Sequence, residues 1–231
     1  MLFGMRRRSW MPAALALVAA VLALPAMGAT RAPTQCNATA RIGTAGARGC
    51  FDRDWRLGPR ILPGITSTVG KLVRRYRRFG SLGRIAYLKK YWQGSGTKGS
   101  WRYPKRNGFA GPAVQVQLAA GTMVDRFGSP FGTFLAPAGT SYAMRSIPPS
   151  NLDTYPGQAA YNYHVYRVTG TFTVLAGAVA PWFGQRGGGV QFETCFNALP
   201  CSGSTAVNVN YLVAQGDLHE VTPELKAEHE R

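Results

Sequence analysis

The rhythm of hydrophobic and polar positions changes near residue 112. Before it, Val69, Leu72, Val73, Tyr76 and Phe79 recur at spacings of three and four, with Lys71, Arg74, Arg75, Arg77 and Arg78 on the opposite face. That repeat predicts an amphipathic helix over 65–79, capped by Gly80. A second helix is predicted over 82–92, with Ile85, Leu88 and Trp92 on one face, followed by a flexible loop from Gly94 to Gly99. After Pro112 the period falls to two. Val114, Val116 and Leu118 alternate with Gln115 and Gln117, and further strands are predicted over 123–127, 163–168, 172–174 and 190–194. Residues 206–215 read as a helix ending at Gly216. The pattern predicts an α+β fold: a small N-terminal helical module packed on a β-rich domain of short, twisted, mainly antiparallel strands.

The N-terminus adds a targeting segment. Arg6, Arg7 and Arg8 precede an apolar run from Met11 to Ala26, and small residues Gly28 and Ala29 follow. This is the layout of a secretory signal peptide over 1–28. The run is short for a membrane anchor and contains Pro12 and Pro25, which favours cleavage. The expected organisation is then a disulfide-held arm and helical module over 29–112, a catalytic domain over 113–216 and an acidic tail over 217–231. The formal charge of +17 points to anionic partners, such as phosphate-bearing metabolites or a cell surface, without choosing among them. Removing the leader takes away three arginines and no acid, so the exported chain stays strongly basic.

All four cysteines lie beyond the leader, as disulfides in an exported protein require. Cys36–Cys50 with Cys195–Cys201 is the simplest of three pairings. A zinc site is disfavoured: there is no Cys-x-x-Cys, and His164, His219 and His229 are scattered.

Three islands in the second half carry the chemistry: Asp125-Arg126-Phe127-Gly128-Ser129-Pro130, Ala180-Pro181-Trp182-Phe183-Gly184-Gln185 and Gly187-Gly188-Gly189-Val190-Gln191-Phe192. Together they resemble the catalytic domain of the tuberculosis necrotizing toxin (TNT) family, which includes secreted fungal NADases. In the first half, Trp55-Arg56-Leu57-Gly58-Pro59, Tyr76-Arg77-Arg78-Phe79-Gly80, Trp101-Arg102-Tyr103-Pro104 and Gly108-Phe109 are similar to the N-terminal module of fungal conidial-surface NADases. The resemblance implies a secreted or cell-surface enzyme that hydrolyses the nicotinamide–ribose bond of NAD+ to nicotinamide and ADP-ribose, with NADP+ as a further candidate substrate. It implies no cofactor for the chemistry.

The residue supply fits such a reaction. The nicotinamide nitrogen is cationic in the substrate, so nicotinamide leaves neutral and no general acid is needed. Between residues 51 and 200 the only acids are Asp52, Asp54, Asp125, Asp153 and Glu193, too few and too dispersed for a paired-carboxylate glycosidase. By the resemblance, Arg126 and Arg145 are placed at the pyrophosphate, where a planar fork of donors suits the anion. The competing role for either arginine is a salt bridge with Asp125 or Asp153. Phe127 and Phe134 are expected to shape the pocket, Thr133 to bond a phosphate or ribose hydroxyl, and Gln191 to orient the reacting end. His164 matches a histidine implicated in the bacterial toxin and is a candidate either for catalysis or for holding the site. Pro181 to Gly184 read as core and loop architecture.

Other readings stand beside this one. Gln191-Phe192-Glu193 is similar to the Gln-x-Glu pair of ADP-ribosyltransferases, which would pass ADP-ribose to a protein. The basic face of residues 71–78 would suit a non-enzymatic tether to an anionic surface; nucleic acid is not expected as a partner of an exported chain. Asp217 and Glu220 are weak calcium candidates, set against a solvated C-terminal end. A homodimer, and an immunity protein if the chain is a bacterial toxin, are further partners that the resemblance brings into view.

Overall fold

The computed structural model describes residues 35–96, 98–156, 158–195 and 206–221; the predicted leader, Cys201 and the end of the acidic tail lie outside them. The first half carries helix α1 (Thr68–Val73), helix α2 (Arg84–Tyr91) and a hairpin of β1 (Trp92–Ser95) and β2 (Lys98–Trp101). The second half carries strands β3 (Val114–Leu118), β4 (Met123–Phe127), β5 (Phe134–Pro137), β6 (Tyr163–Val168), β7 (Phe172–Ala178), β8 (Val190–Thr194) and β9 (Leu218–Val221). These form one sheet in the order β3-β7-β8-β5-β4-β6-β9, antiparallel at every pairing. Short helices α3 (Tyr142–Arg145) and α4 (Val209–Gln215) complete it. The α+β expectation holds.

One core lies between the sheet and α4, where Val124, Leu135, Tyr166, Val168, Val174, Leu212 and Leu218 are buried together. The cap residues fix α4: Asn208 accepts from the Tyr211 amide at 2.8 Å, and Gly216 takes the left-handed conformation at φ 81° that ends a helix. A second core joins Val73 and Tyr76 to Phe127, Tyr142, Leu152, Tyr163 and Val165. A third is nearly all aromatic: Tyr87, Tyr91, Trp92 and Trp101 from the first half surround Phe183 from the second.

These packing demands explain where the pattern misleads. The first helix is six residues long, not fifteen. Ser67 caps it by accepting from the Gly70 amide at 3.0 Å, but beyond Val73 the apolar positions diverge. Tyr76 packs edge-on against Tyr142 at 4.7 Å, whereas Phe79 joins Tyr87 at 5.2 Å in the aromatic core. A continuing helix would hold both on one face. On α2 the buried pair is Tyr87 and Tyr91, and Ile85 is exposed. The predicted glycine loop is the β1–β2 hairpin, with Gly94 opposite Gly99. A Cβ at Gly99 would lie 2.2 Å from the Gln93 carbonyl, so glycine there permits the pairing. β5 has no alternating pattern. Residues 218–221, expected in a solvated tail, form the edge strand β9 because Leu218 is buried in the core beside Val168.

Cys36 and Cys50 are joined. The arm they hold docks through the Thr154 amide, which donates to the Cys36 carbonyl at 2.9 Å. The pairing proposed for Cys195 involves Cys201, outside the described residues.

Candidate active site

A cleft of about 540 Å³ opens beside β4, β5 and β8. Arg126, Phe127, Thr133, Phe134, Arg145 and Gln191 all line it, so six residues spread over 66 positions of chain meet at one wall. The first half contributes Tyr103, Pro104, Asn107 and Gly108, and the 128–133 loop contributes Phe131. No aspartate or glutamate is among the lining residues.

Arg126 is held by main-chain carbonyls. Its Nε donates to Ser129 O at 2.7 Å and Gly128 O at 3.2 Å, and Nη1 donates to Phe134 O at 2.7 Å. Nη2 has no hydrogen bond among the described residues. The loop can wrap the guanidinium this closely because it is glycine-bearing: a Cβ at Gly132 would lie 1.8 Å from Nη2. Burial lowers the Arg126 pKa to about 10, so it remains a cation at neutral pH, and among the described residues no carboxylate is hydrogen-bonded to it.

Arg145 is placed differently. Nη2 donates to Asp125 Oδ1 at 2.5 Å and to Thr140 O at 2.7 Å, and Nε donates to Thr140 O at 3.0 Å. Both members of the ion pair are buried. Asp125 also accepts from the Gly139 amide at 2.9 Å and the Tyr163 hydroxyl at 2.8 Å. Burial raises its pKa, opposed by Arg145 and those hydrogen bonds. The salt-bridge role and the cleft-lining role thus coexist in Arg145, whose Nη1 has no hydrogen bond among the described residues. Its guanidinium lies over the Phe127 ring at 5.1 Å. Phe127 itself is buried between Tyr142 and Tyr163, so it forms a firm wall; Phe134 is half-buried at the cleft.

Gln191, half-buried on β8, donates from Nε2 to the Asn107 carbonyl at 2.8 Å. Glu193, two residues on and therefore on the same face, is 3% exposed and does not line the cleft. Its two oxygens accept from Asn107 Nδ2 at 2.9 and 3.1 Å.

His164 is not on the cleft wall. It sits on β6 opposite Arg126, buried, with Nδ1 2.6 Å from Glu220 Oε1 and Nε2 3.1 Å from Asn162 Oδ1. The Asn162 carbonyl in turn accepts from the Gly128 amide at 2.8 Å. The histidine therefore braces the strand and loop that carry Arg126. Glu220 is engaged by this contact. Asp217 serves through its carbonyl, which accepts from Thr169 and Gly170. Among the described residues no three His, Cys, Asp or Glu side chains are grouped to hold a metal. Phe183 is fully buried in the aromatic core, and Trp182 Nε1 donates to Arg102 O at 2.7 Å, consistent with an architectural island.

Sequence reasoning passed over Asn107, Phe131 and Asn151 as site residues. The Asn-Gly dipeptide at 107–108 was the one available signal, since it marks a turn where backbone approaches closely.

Residues 117–221 match the tuberculosis necrotizing toxin (TNT) family. All seven residues proposed above for catalysis or substrate binding fall inside that TNT-matched segment, while Tyr103 and Asn107 lie outside it. The chain is also 46% identical over 152 residues to the conidial surface nicotinamide adenine dinucleotide glycohydrolase nadA of Aspergillus fumigatus. That likeness covers 63% of this chain and 64% of the fungal protein, so the chain spans less than two thirds of its relative's length. Among solved structures, tuberculosis necrotizing toxin in complex with its immunity factor superposes with a TM-score of 0.50 at 18% identity, over 71% of this chain and 93% of the toxin chain. At that identity the likeness concerns the fold.

Proposed function

We propose that the protein is an NAD+ glycohydrolase, converting NAD+ and water to ADP-ribose, nicotinamide and a proton. The observation that carries the reading is the convergence of Arg126, Arg145 and Gln191, all inside the TNT-matched segment, on one cleft with no acid among its described lining residues. Each arginine is anchored by its other nitrogens and retains one Nη with no hydrogen bond among the described residues, which suits two fixed cationic donors for a pyrophosphate. The similarity to a fungal NAD glycohydrolase supports the same substrate.

The chemistry asks little else of the protein. The glycosidic bond breaks with its electron pair moving to the pyridinium nitrogen, so nicotinamide departs neutral. The ribose passes through an oxocarbenium-like state that water captures at C1, releasing a proton. Positioning and preorganised dipoles are the available sources of rate. Gln191 orients the reacting end, Phe127 and Phe134 shape the wall, Thr133 offers a hydroxyl, and His164 holds Arg126 in place. NADP+ fits the same reading, because the basic surface does not repel a further phosphate. Export by the 1–28 leader accords with a relative at the conidial surface.

The transferase reading is weaker. Glu193 is buried, off the cleft wall and engaged by Asn107, so it is not placed to activate a nucleophile on a protein acceptor. Incubation with NAD+ labelled in the adenylate, with and without acceptor proteins, separates the two. Label recovered as free ADP-ribose supports hydrolysis; label on protein would overturn it.

A further inference from the structure

We infer that Asn107 is a positioning residue that sets the orientation of Gln191 and anchors Glu193 from outside the TNT-matched segment. The inference rests on the hydrolase reading for its kinetic consequence, though not for its geometry.

Asn107 engages both side chains of the Gln-x-Glu pair. Its main-chain carbonyl accepts from Gln191 Nε2 at 2.8 Å, and its own Nδ2 donates to both Glu193 oxygens at 2.9 and 3.1 Å. A carbonyl only accepts, and both Glu193 oxygens accept here. The first fact forces Gln191 to turn Nε2 toward Asn107 and leaves Oε1, which has no hydrogen bond among the described residues, as its acceptor; the second forces Asn107 to turn Nδ2 toward Glu193. Neither amide can flip without setting oxygen against oxygen. The cleft is therefore presented with a hydrogen-bond acceptor at Gln191, suited to a ribose hydroxyl or the attacking water.

The backbone around Asn107 is built for this. Asn107 has φ 51°, in the left-handed region that asparagine tolerates better than most residues. Gly108 follows at φ 85°, with the Gln191 carboxamide lying 3.7–3.8 Å from where its Cβ would be. The turn is stitched to the sheet by Ala110 N to Ala178 O and by Ala180 N to Gly108 O, both at 2.8 Å, and Phe109 bridges Val179. Asn107 is exposed at the cleft mouth, yet its amide reaches a buried carboxylate. The hydrogen bond thus ties a rim residue of the first half to a buried carboxylate on β8.

The test uses three variants of the full chain. Asn107→Gly keeps the positive φ and the carbonyl but removes Nδ2. Asn107→Asp keeps size and backbone preference but sets a second carboxylate against Glu193. The double variant Asn107→Asp with Glu193→Gln reverses donor and acceptor and restores one hydrogen bond. Asn107→Gly is expected to lower kcat roughly tenfold and Asn107→Asp more, with KM changed less than about threefold. The double variant is expected to recover most of the loss. The side-chain amide signals of Gln191, followed by NMR, should shift in both single variants and return in the double. Unchanged kcat and an unmoved Gln191 signal in Asn107→Gly would overturn the proposal. So would a double variant that shows no recovery of that signal. If the wild-type chain fails to cleave NAD+, the hydrolase reading falls, while the amide signals still decide the tether.

Discussion

The guanidinium of Arg126 lies over the backbone of Gly132, so close that a Cβ at that glycine would be 1.8 Å from Nη2. The contact is what lets a half-buried arginine be gripped by three carbonyls and still present one nitrogen with no hydrogen bond among the described residues. Gly132→Ala should displace the guanidinium while leaving the sheet intact. A charge-assisted hydrogen bond contributes about 1.5–3 kcal/mol, so kcat/KM for NAD+ should fall by about one to two orders of magnitude. Steady-state kinetics beside a circular dichroism spectrum checks this; unchanged kinetics would remove Arg126 from the binding role.

Lysine is not a substitute at this position. Arg126 uses Nε and Nη1 together on the Ser129, Gly128 and Phe134 carbonyls, a fork that an ammonium cannot reproduce. Arg126→Lys should therefore lose at least about tenfold in kcat/KM despite its retained charge. Activity close to wild type would mean that charge alone matters there.

Arg145 should show a stability effect as large as its kinetic one. Removing one partner of a buried ion pair costs about 3–5 kcal/mol, because the other charge is left uncompensated. Arg145→Ala leaves Asp125 buried beside the Gly139 amide and Tyr163 alone. Urea unfolding should show a much lower midpoint, and adding Asp125→Asn should recover part of it. A midpoint unmoved by Arg145→Ala would contradict the pairing.

Asp153 predicts a pH dependence. Its carboxylate is fully buried with no hydrogen-bond partner for either oxygen among the described residues, and burial raises its pKa well above the usual carboxylate range, with Arg78 opposing. The folded chain then keeps a proton that the unfolded chain releases above about pH 4. The stabilisation from that proton is complete below the unfolded pKa and is lost as pH rises toward the folded one. The slope is about −1.4 kcal/mol per pH unit while one proton separates the two states. Asp153→Asn should flatten the fall in stability between about pH 4.5 and 7, measured by urea unfolding at several pH values. Parallel curves for wild type and variant would show that Asp153 ionises normally.

What was legible in the chain depended on the range of the contacts that decide each feature. Val114 to Leu118 alternate cleanly, so β3 was readable. β5 is four residues ending in Pro137, too short to show a period. The first helix looked long because Tyr76 and Phe79 keep helical spacing, although they are drawn into different cores. Arg126, Phe127 and Gln191 stand in local islands and were readable by resemblance; so was Arg145, ahead of Pro148-Pro149. Asn107 was not readable, because its partners lie 84 and 86 residues away. His164 was readable as a strand residue, but its brace to Glu220 spans 56 residues and depends on an edge strand hidden in what looks like an acidic tail.

The most direct test of the central claim is to incubate purified protein with NAD+ and resolve the products by chromatography, beside Gln191→Ala. The account predicts nicotinamide and ADP-ribose in equal amounts from the wild type, and a loss of roughly a hundredfold or more in the variant, the scale seen when a group that acts only in the transition state is removed. Intact NAD+ with folded wild-type protein, or equal turnover by both proteins, would contradict it.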